Sequence, residues 1–216
     1  MQKNIYCFSG LGADEKLFSN LRVPHYRLKY INWLKPVAKE TLPQYARRLS
    51  QQVDEREPVL LGVSFGGMLA IEAAKYVQAS QTIIISSIQS AAHFPFYYHW
   101  ANKLQVIKFI PNQLLVTPSP VADFLFGAET TADKKLLRHF AHTANPAFIK
   151  WALQAIINWK NDTLPQNLAH LHGTKDCIIP LPKNVHHVIK GGGHLMVYNR
   201  ADSVNKLLQL LLPGQP

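Results

Sequence analysis

Short apolar runs alternate with amphipathic segments along most of the 216-residue chain. Six runs have the length and composition of strands: Asn4–Phe8, Tyr26–Ile31, Val59–Leu61, Thr82–Ser86, Leu168–His172 and Val185–Ile189. The run at 82–86 is almost entirely apolar, which is typical of a strand covered on both faces. Apolar residues at helical spacing predict helices over Leu42–Val53, Gly67–Tyr76 and Ser203–Leu212. This alternation predicts an α/β fold in which a mostly parallel sheet is flanked by helices.

The alternation is interrupted between the fourth and fifth predicted strands. Residues from about 89 to 162 contain helical patterns and prolines but no convincing strand. The clearest helix is predicted in NPAFIKWALQAIINWK, where Asn145 can cap the N-terminus and Pro146 suits the first turn. The stretch AHFPFYYHWANK is rich in aromatic residues, which either line an apolar pocket or pack this segment against the sheet. We interpret residues 89–162 as a helical lid inserted into a single domain that spans residues 1–216.

A serine stands between glycines directly after the third predicted strand and before a helix. The turn reads Gly62-Val63-Ser64-Phe65-Gly66, a GxSxG pattern. In this context the pattern is typical of a nucleophilic serine held in a sharp, strained turn. The N-terminus of the following helix also favours negative charge that develops near Ser64. From this segment alone, an inert serine in a glycine-rich turn is the alternative.

A serine hydroxyl is a poor nucleophile without a base, and the base needs a partner that orients it. Asp176 lies in a loop directly after the fifth predicted strand, and His194 lies in a glycine-rich loop after the sixth. The chain resembles the α/β-hydrolase superfamily in its GxSxG turn, its acid loop (Gly173–Asp176) and its GGGH loop. The resemblance implies that Ser64 is the nucleophile, His194 the base and Asp176 the orienting acid.

The resemblance also implies an oxyanion hole made by the backbone amides of Phe65 and Leu11. Leu11 follows Ser9-Gly10, where relatives commonly have His-Gly, so the chain departs from the pattern at Ser9. Asp14 follows the same loop, and we interpret it as the N-cap of a helix that begins near Glu15 rather than as a catalytic group.

The remaining histidines have other predicted roles. Four of them fall in predicted strands and are assigned core or edge positions: His170, His172, His186 and His187. The predicted lid contains His93, His99, His139 and His142. His139 and His142 have helical i,i+3 spacing but no apparent third metal ligand. Cys7 and Cys177 are far apart, without a metal-binding spacing, so we expect no disulfide, no metal and no other cofactor.

The net charge of +10 is spread thinly, with only short basic clusters such as Arg47-Arg48 and Lys134-Lys135. No motif for nucleic-acid binding is present, so we expect solvated basic faces and no nucleic-acid partner. No apolar stretch approaches the ~18 residues of a membrane span. The start of the chain, MQKNIYCFSG, lacks the features of a signal peptide. We therefore expect a cytoplasmic protein without integral membrane contact; the oligomeric state stays open.

Together these residues predict a serine hydrolase that cleaves carboxylic esters, or thioesters, of small to medium apolar substrates through an acyl-enzyme. Two alternatives remain at this point. A non-catalytic protein could bind small molecules on the same fold, because fold does not determine function. A lyase could use the same three residues with a polar partner from the lid.

Overall fold

A six-stranded parallel sheet forms the centre of the molecule. The computed structural model describes residues 3–94, 111 and 116–212. The strands are β1 (Lys3–Phe8), β2 (Tyr26–Tyr30), β3 (Val59–Val63), β4 (Gln81–Ile85), β5 (Leu168–Gly173) and β6 (His187–Ile189). They lie in the order β2-β1-β3-β4-β5-β6, and each neighbouring pair is parallel. The predicted α/β fold is therefore confirmed.

Seven α-helices occur among the described residues. They are α1 (Leu42–Ser50), α2 (Phe65–Ala73), α3 (Pro120–Phe126), α4 (Thr131–Thr143), α5 (Pro146–Ile157), α6 (Met196–Asn199) and α7 (Ala201–Leu211). Short 3-10 helices cover Glu15–Phe18 and Ala91–His93. Several predicted boundaries differ from the structure by one to three residues. Helix α2 begins two residues earlier than predicted, at Phe65, and β6 begins at His187, so His186 precedes the strand.

Two apolar layers enclose the sheet, because successive side chains of a strand point to opposite faces. Along β1, Ile5 and Cys7 enter one layer, to which α7 contributes Val204 and Leu208. Tyr6 and Phe8 enter the other layer, which α1 and α2 cover. Burial on both faces explains why the strands read as nearly continuous apolar runs.

Helices α3, α4 and α5 follow one another between β4 and β5. The predicted cap of α5 is confirmed, since the Asn145 side chain accepts hydrogen bonds from the amides of Ala147 and Phe148. Residues 95–110 and 112–115 of the predicted lid lie outside the described residues, and so do His99 and most of the AHFPFYYHWANK stretch. The lid assignment as a whole stays a prediction.

Aromatic side chains join α5 to the rest of the molecule. Tyr45 of α1 and Trp151 of α5 have ring centroids 4.6 Å apart. The Trp151 indole also donates a hydrogen bond of 3.1 Å to the carbonyl of Glu40. Trp33 packs against Phe148 with centroids 5.2 Å apart. Helix α5 is thus fixed against the α1 side of the sheet.

Candidate active site

Ser64 occupies the turn between β3 and α2 in a strained backbone conformation. Its φ of 54° and ψ of −120° lie where few residues other than glycine are found. Such strain costs about 1–3 kcal/mol and persists only where the surroundings enforce it. The Ser64 amide donates to the Ile85 carbonyl at 2.9 Å. The Ser64 carbonyl accepts from the Gly67 amide at 2.9 Å and from the Ser87 hydroxyl at 2.7 Å. These three bonds hold the turn.

The loop after β1 lies directly beside Ser64 because Gly66 has no side chain. A Cβ at Gly66 would lie 2.1 Å from the Phe8 carbonyl oxygen and 2.3 Å from that of Ser9. On the other side of the same loop, a Cβ built at Gly10 would lie 3.7 Å from Ser64 Cβ. The last glycine of GxSxG therefore allows α2 and the predicted oxyanion loop to approach each other closely.

The structure brings Ser64, His194 and Asp176 together at the carboxyl ends of the strands. Ser64 Oγ lies 2.9 Å from His194 Nε2, and His194 Nδ1 lies 2.8 Å from Asp176 Oδ2. A carboxylate oxygen only accepts, so Nδ1 of His194 carries a proton and donates a hydrogen bond to Asp176. In the neutral ring Nε2 then faces the serine as an acceptor. This is the arrangement in which a histidine can remove the serine proton.

The surroundings of Asp176 keep its carboxyl group ionised. Asp176 Oδ1 accepts from the Ile178 amide at 3.0 Å and from the Ile179 amide at 2.8 Å. Burial by itself raises the pKa of Asp176. The hydrogen bond and charge of His194, the Ile179 amide and the charge of His172 outweigh burial, so the pKa lies below its usual value. Asp176 is therefore a buried anion at neutral pH.

The two predicted oxyanion donors, Phe65 and Leu11, lie in two different segments of the chain. Phe65 directly follows Ser64 as the first residue of α2, its ring is buried, and it lines the cavity at Ser64. Leu11 lies in the loop after β1 and lines the same cavity as Ser64. Within residues 3–94 and 116–212 neither amide has a hydrogen-bond acceptor, which leaves both available to a substrate oxygen. Their role as an oxyanion hole stays a prediction.

A cavity of about 490 Å³ opens over Ser64 and His194. Its size is within the range of small-molecule sites. The described part of its lining is mainly apolar and includes Met68, Leu137, Ile149, Leu153, Ile156 and Ile178. Two charged residues, Asp123 and Arg138, also line it. The cavity thus joins the sheet residues of the site to α3, α4 and α5.

Contacts from these helices reach both sides of the site, and sequence analysis missed them. The Phe126 carbonyl accepts from the Leu195 amide at 2.9 Å, and its ring meets the His194 ring edge-on at 5.5 Å. Asp14 caps the 3-10 helix by accepting from the Lys16 amide, which confirms its predicted role. Its Oδ2 also lies 2.6 Å from His139 Nε2 on α4. Helical spacing alone could not reveal a contact between residues 125 positions apart.

The structure also locates other histidines that the sequence analysis considered. His170 and His172 lie in β5 and are fully buried, while His187 lies in β6. His142 is exposed on α4. Within the described ranges, no three His, Cys, Asp or Glu side chains converge as ligands for a metal ion.

Comparisons with known proteins agree with the fold and the sequence motifs. The model of the alpha/beta hydrolase family matches residues 10–207. This chain belongs to the alpha/beta hydrolase family. Membership of that family supports a hydrolase activity. A search of curated proteins found no match.

Solved structures of other alpha/beta hydrolases share the fold at low sequence identity. The esterase EaEST from Exiguobacterium antarcticum is 16% identical with a TM-score of 0.71, over 97% of this chain and 91% of that one. The hydrolase olei00960 from Oleispira antarctica is 14% identical with a TM-score of 0.68, over 99% and 92%. A bromoperoxidase from Bacillus anthracis is 16% identical with a TM-score of 0.64, over 99% and 93%. At these identities the likeness extends to the fold alone. In the part of the chain described here, no helix has the length and apolar character needed to cross a bilayer.

Proposed function

We propose that this alpha/beta hydrolase is a serine hydrolase that cleaves carboxylic esters, or thioesters, of small to medium apolar substrates. One observation carries the proposal: Ser64, which is hydrogen-bonded through His194 to Asp176, lines a mainly apolar cavity. A carboxylate, a correctly oriented imidazole and a hydroxyl in this order are the parts needed for acyl transfer.

The proposed reaction proceeds through an acyl-enzyme. His194 Nε2 removes the proton of Ser64 as Oγ attacks the carbonyl carbon, and Asp176 stabilises the resulting imidazolium. The amides of Leu11 and Phe65 donate to the oxyanion. The bond to the alcohol or thiol then breaks, and His194 gives its proton to that leaving group. Water, activated by the same histidine, hydrolyses the acyl-enzyme and regenerates Ser64.

The lining of the cavity supports an apolar acyl group. Aliphatic side chains from α2, α4, α5 and the acid loop surround the space next to Ser64, so a hydrocarbon chain gains free energy by leaving water there. A bulkier residue should shorten the accepted chain. In Leu153→Trp, with ester hydrolysis measured over a series of p-nitrophenyl esters, we expect the preferred acyl length to decrease. The cytoplasmic location stays a prediction.

The first experiment is labelling of the purified protein with a fluorophosphonate, read by intact mass. Such a probe reacts with an activated serine and does not depend on the natural substrate. We expect a single adduct that maps to Ser64, no adduct with Ser64→Ala, and strongly slowed labelling with His194→Ala. Exposed residues supply matched controls: Ser203→Ala and His142→Ala should be labelled like the wild type.

Labelling has two decisive outcomes. An adduct at Ser64 that requires His194 would support the serine hydrolase, and the ester and thioester series would then define the substrate. A folded protein that gives no adduct would contradict the proposed function. In that case the interpretation as a non-catalytic binding protein would replace it.

A further inference from the structure

Strand β5 carries two fully buried histidines, whereas most of the buried residues in the neighbouring strands are apolar. Along Ala169-His170-Leu171-His172, Ala169 and Leu171 enter one apolar layer of the sheet, while both imidazoles point to the opposite face. His170 and His172 have 0% exposure. A buried polar ring is unfavourable unless its nitrogens are hydrogen-bonded, so the partners of these rings indicate their role.

Hydrogen bonds determine the proton positions of both rings. His172 Nε2 lies 2.8 Å from the Ile179 carbonyl oxygen, which can only accept, so this nitrogen carries a proton. His172 Nδ1 lies 3.1 Å from His170 Nε2. In a neutral His172 ring Nδ1 must accept, so His170 Nε2 donates to it. His170 thereby stabilises one tautomer of His172, the tautomer that directs an N–H towards the acid loop.

The N–H of His172 contacts the segment from Asp176 to Ile179 at two points. Besides the Ile179 carbonyl, it faces Asp176 Oδ2 at 3.4 Å, the oxygen that also accepts from His194. Ile179 in turn donates its amide to the other carboxylate oxygen, Oδ1, at 2.8 Å. His172 therefore anchors Ile179, the residue whose amide holds Asp176, and also supplies a positive N–H dipole to the Asp176 carboxylate.

Both rings are neutral at physiological pH. Burial disfavours the imidazolium and so lowers the pKa of His172. For His170, burial together with the charges of His172 and His186 lowers the pKa to about 3. The titratable groups that face the His172 ring are His170 on β5, Asp176 in the acid loop and His194 beyond it.

We infer that His172 is a positioning residue for the proposed active site, which holds the Asp176 carboxylate towards His194 Nδ1 through its Nε2–H. This role rests on the proposed function of Ser64, His194 and Asp176. A histidine that only filled space in the core would not need its donor aimed at the loop of the acid.

The test compares fluorophosphonate labelling rates of the full-length protein and three variants. His172→Leu removes the donor and should slow labelling of Ser64 by about tenfold or more, the scale known for partners that orient metal-bound histidines. His172→Gln keeps an N–H donor at a similar distance and should restore most of the wild-type rate. Thr82→Val removes another fully buried polar group from the amino-terminal half of β4, away from the site, and controls for general loss of core polarity.

Rescue by His172→Gln separates positioning from loss of stability. Recovery in His172→Gln depends on the N–H donor at position 172, and a residue that only filled space in the core would not show it. Thr82→Val should keep the wild-type labelling rate even if its stability changes.

The outcomes are distinct. A slower labelling rate in His172→Leu, with recovery in His172→Gln and a wild-type rate in Thr82→Val, would establish the positioning role. If wild type is labelled and His172→Leu behaves like Thr82→Val, or if His172→Gln is as slow as His172→Leu, the inference is wrong while the proposed function stands. If wild type is not labelled, the proposed function fails and the inference fails with it. Circular dichroism of each variant at the labelling temperature verifies that folded proteins are compared.

Discussion

Acidification should destabilise the folded protein through His170. The ring is fully buried, and burial together with neighbouring histidine charge lowers its pKa from 6.5 to about 3. Unfolding exposes the ring to water and restores the ordinary pKa. Below 6.5 the unfolded chain therefore binds a proton on His170 that the folded chain does not bind.

The sign and size of the effect follow from this difference in proton uptake. The stabilising contribution of the neutral ring is fully present above the unfolded pKa and is lost as pH falls from 6.5 towards about 3. Between these values one additional proton bound by the unfolded state lowers the free energy of unfolding by ~1.4 kcal/mol per pH unit. From pH 6.5 to a measurement near pH 4.5, His170 alone should therefore remove about 3 kcal/mol.

Urea unfolding at neutral pH and near pH 4.5 measures this loss, and His170→Leu isolates the part that belongs to His170. The variant also loses a hydrogen bond to His172, but that loss does not depend on protonation of residue 170. Its free energy of unfolding should therefore decline with falling pH less steeply than that of wild type, by about 3 kcal/mol over the interval. His142→Leu, at an exposed position, should keep the wild-type slope. Parallel pH curves for wild type and His170→Leu would refute the reasoning.

Three further predictions concern the site and its supports. In Gly66→Ala the added methyl would clash with the Phe8 and Ser9 carbonyls. Labelling of Ser64 by a fluorophosphonate should therefore fall by about 100-fold or more, as when an oxyanion donor is lost. A wild-type labelling rate would contradict the role given to this close approach. In Ser87→Ala the carbonyl of Ser64 loses its 2.7 Å hydrogen bond, which should reduce the free energy of unfolding in urea by about 1 kcal/mol. In Asp14→Ala the cap and the contact to His139 are both lost, which should cost about 1–2 kcal/mol in thermal or urea unfolding, whereas His139→Ala should cost less.

The strands and the turn at Ser64 could be predicted because their signals are local. Six apolar runs placed six strands, and a glycine-flanked Ser64 between a strand and a helix predicted the turn that the structure contains. Asp176 and His194 were selected through the resemblance to the α/β-hydrolases. They can meet Ser64 because parallel strands end at one edge of the sheet, so residues that follow β5 and β6 lie near residues that follow β3. The start of α2 was misplaced because glycine has a low helix propensity, which conceals a helix that begins before Gly66 and Gly67.

Contacts between distant segments could not be predicted. His139 had a helical position but no indicated partner, because its contact with Asp14 depends on how α4 lies over the loop after β1. His172 was assigned to the core because it falls in a predicted strand, and the structure shows that it is buried. Its direction towards Asp176 depends on the path of the loop from Asp176 to Ile179, and one sequence does not specify that path.

The two histidines of β5 conflict with the rule that buried strands are apolar, and such exceptions tend to occur at functional sites. Packing alone would favour leucine or valine, since an apolar side chain of similar volume has no polar group to desolvate. The opposite face of β5 follows that preference with Ala169 and Leu171. Asp176 supplies the reason for the exception, because a buried carboxylate needs donors to remain ionised, and a leucine at position 172 could supply none. On this reasoning the neutral imidazole of His172 holds the Asp176 carboxylate in place but lowers the stability of the fold at low pH. His172→Leu should therefore slow the labelling of Ser64, and its free energy of unfolding should fall less on acidification than that of wild type.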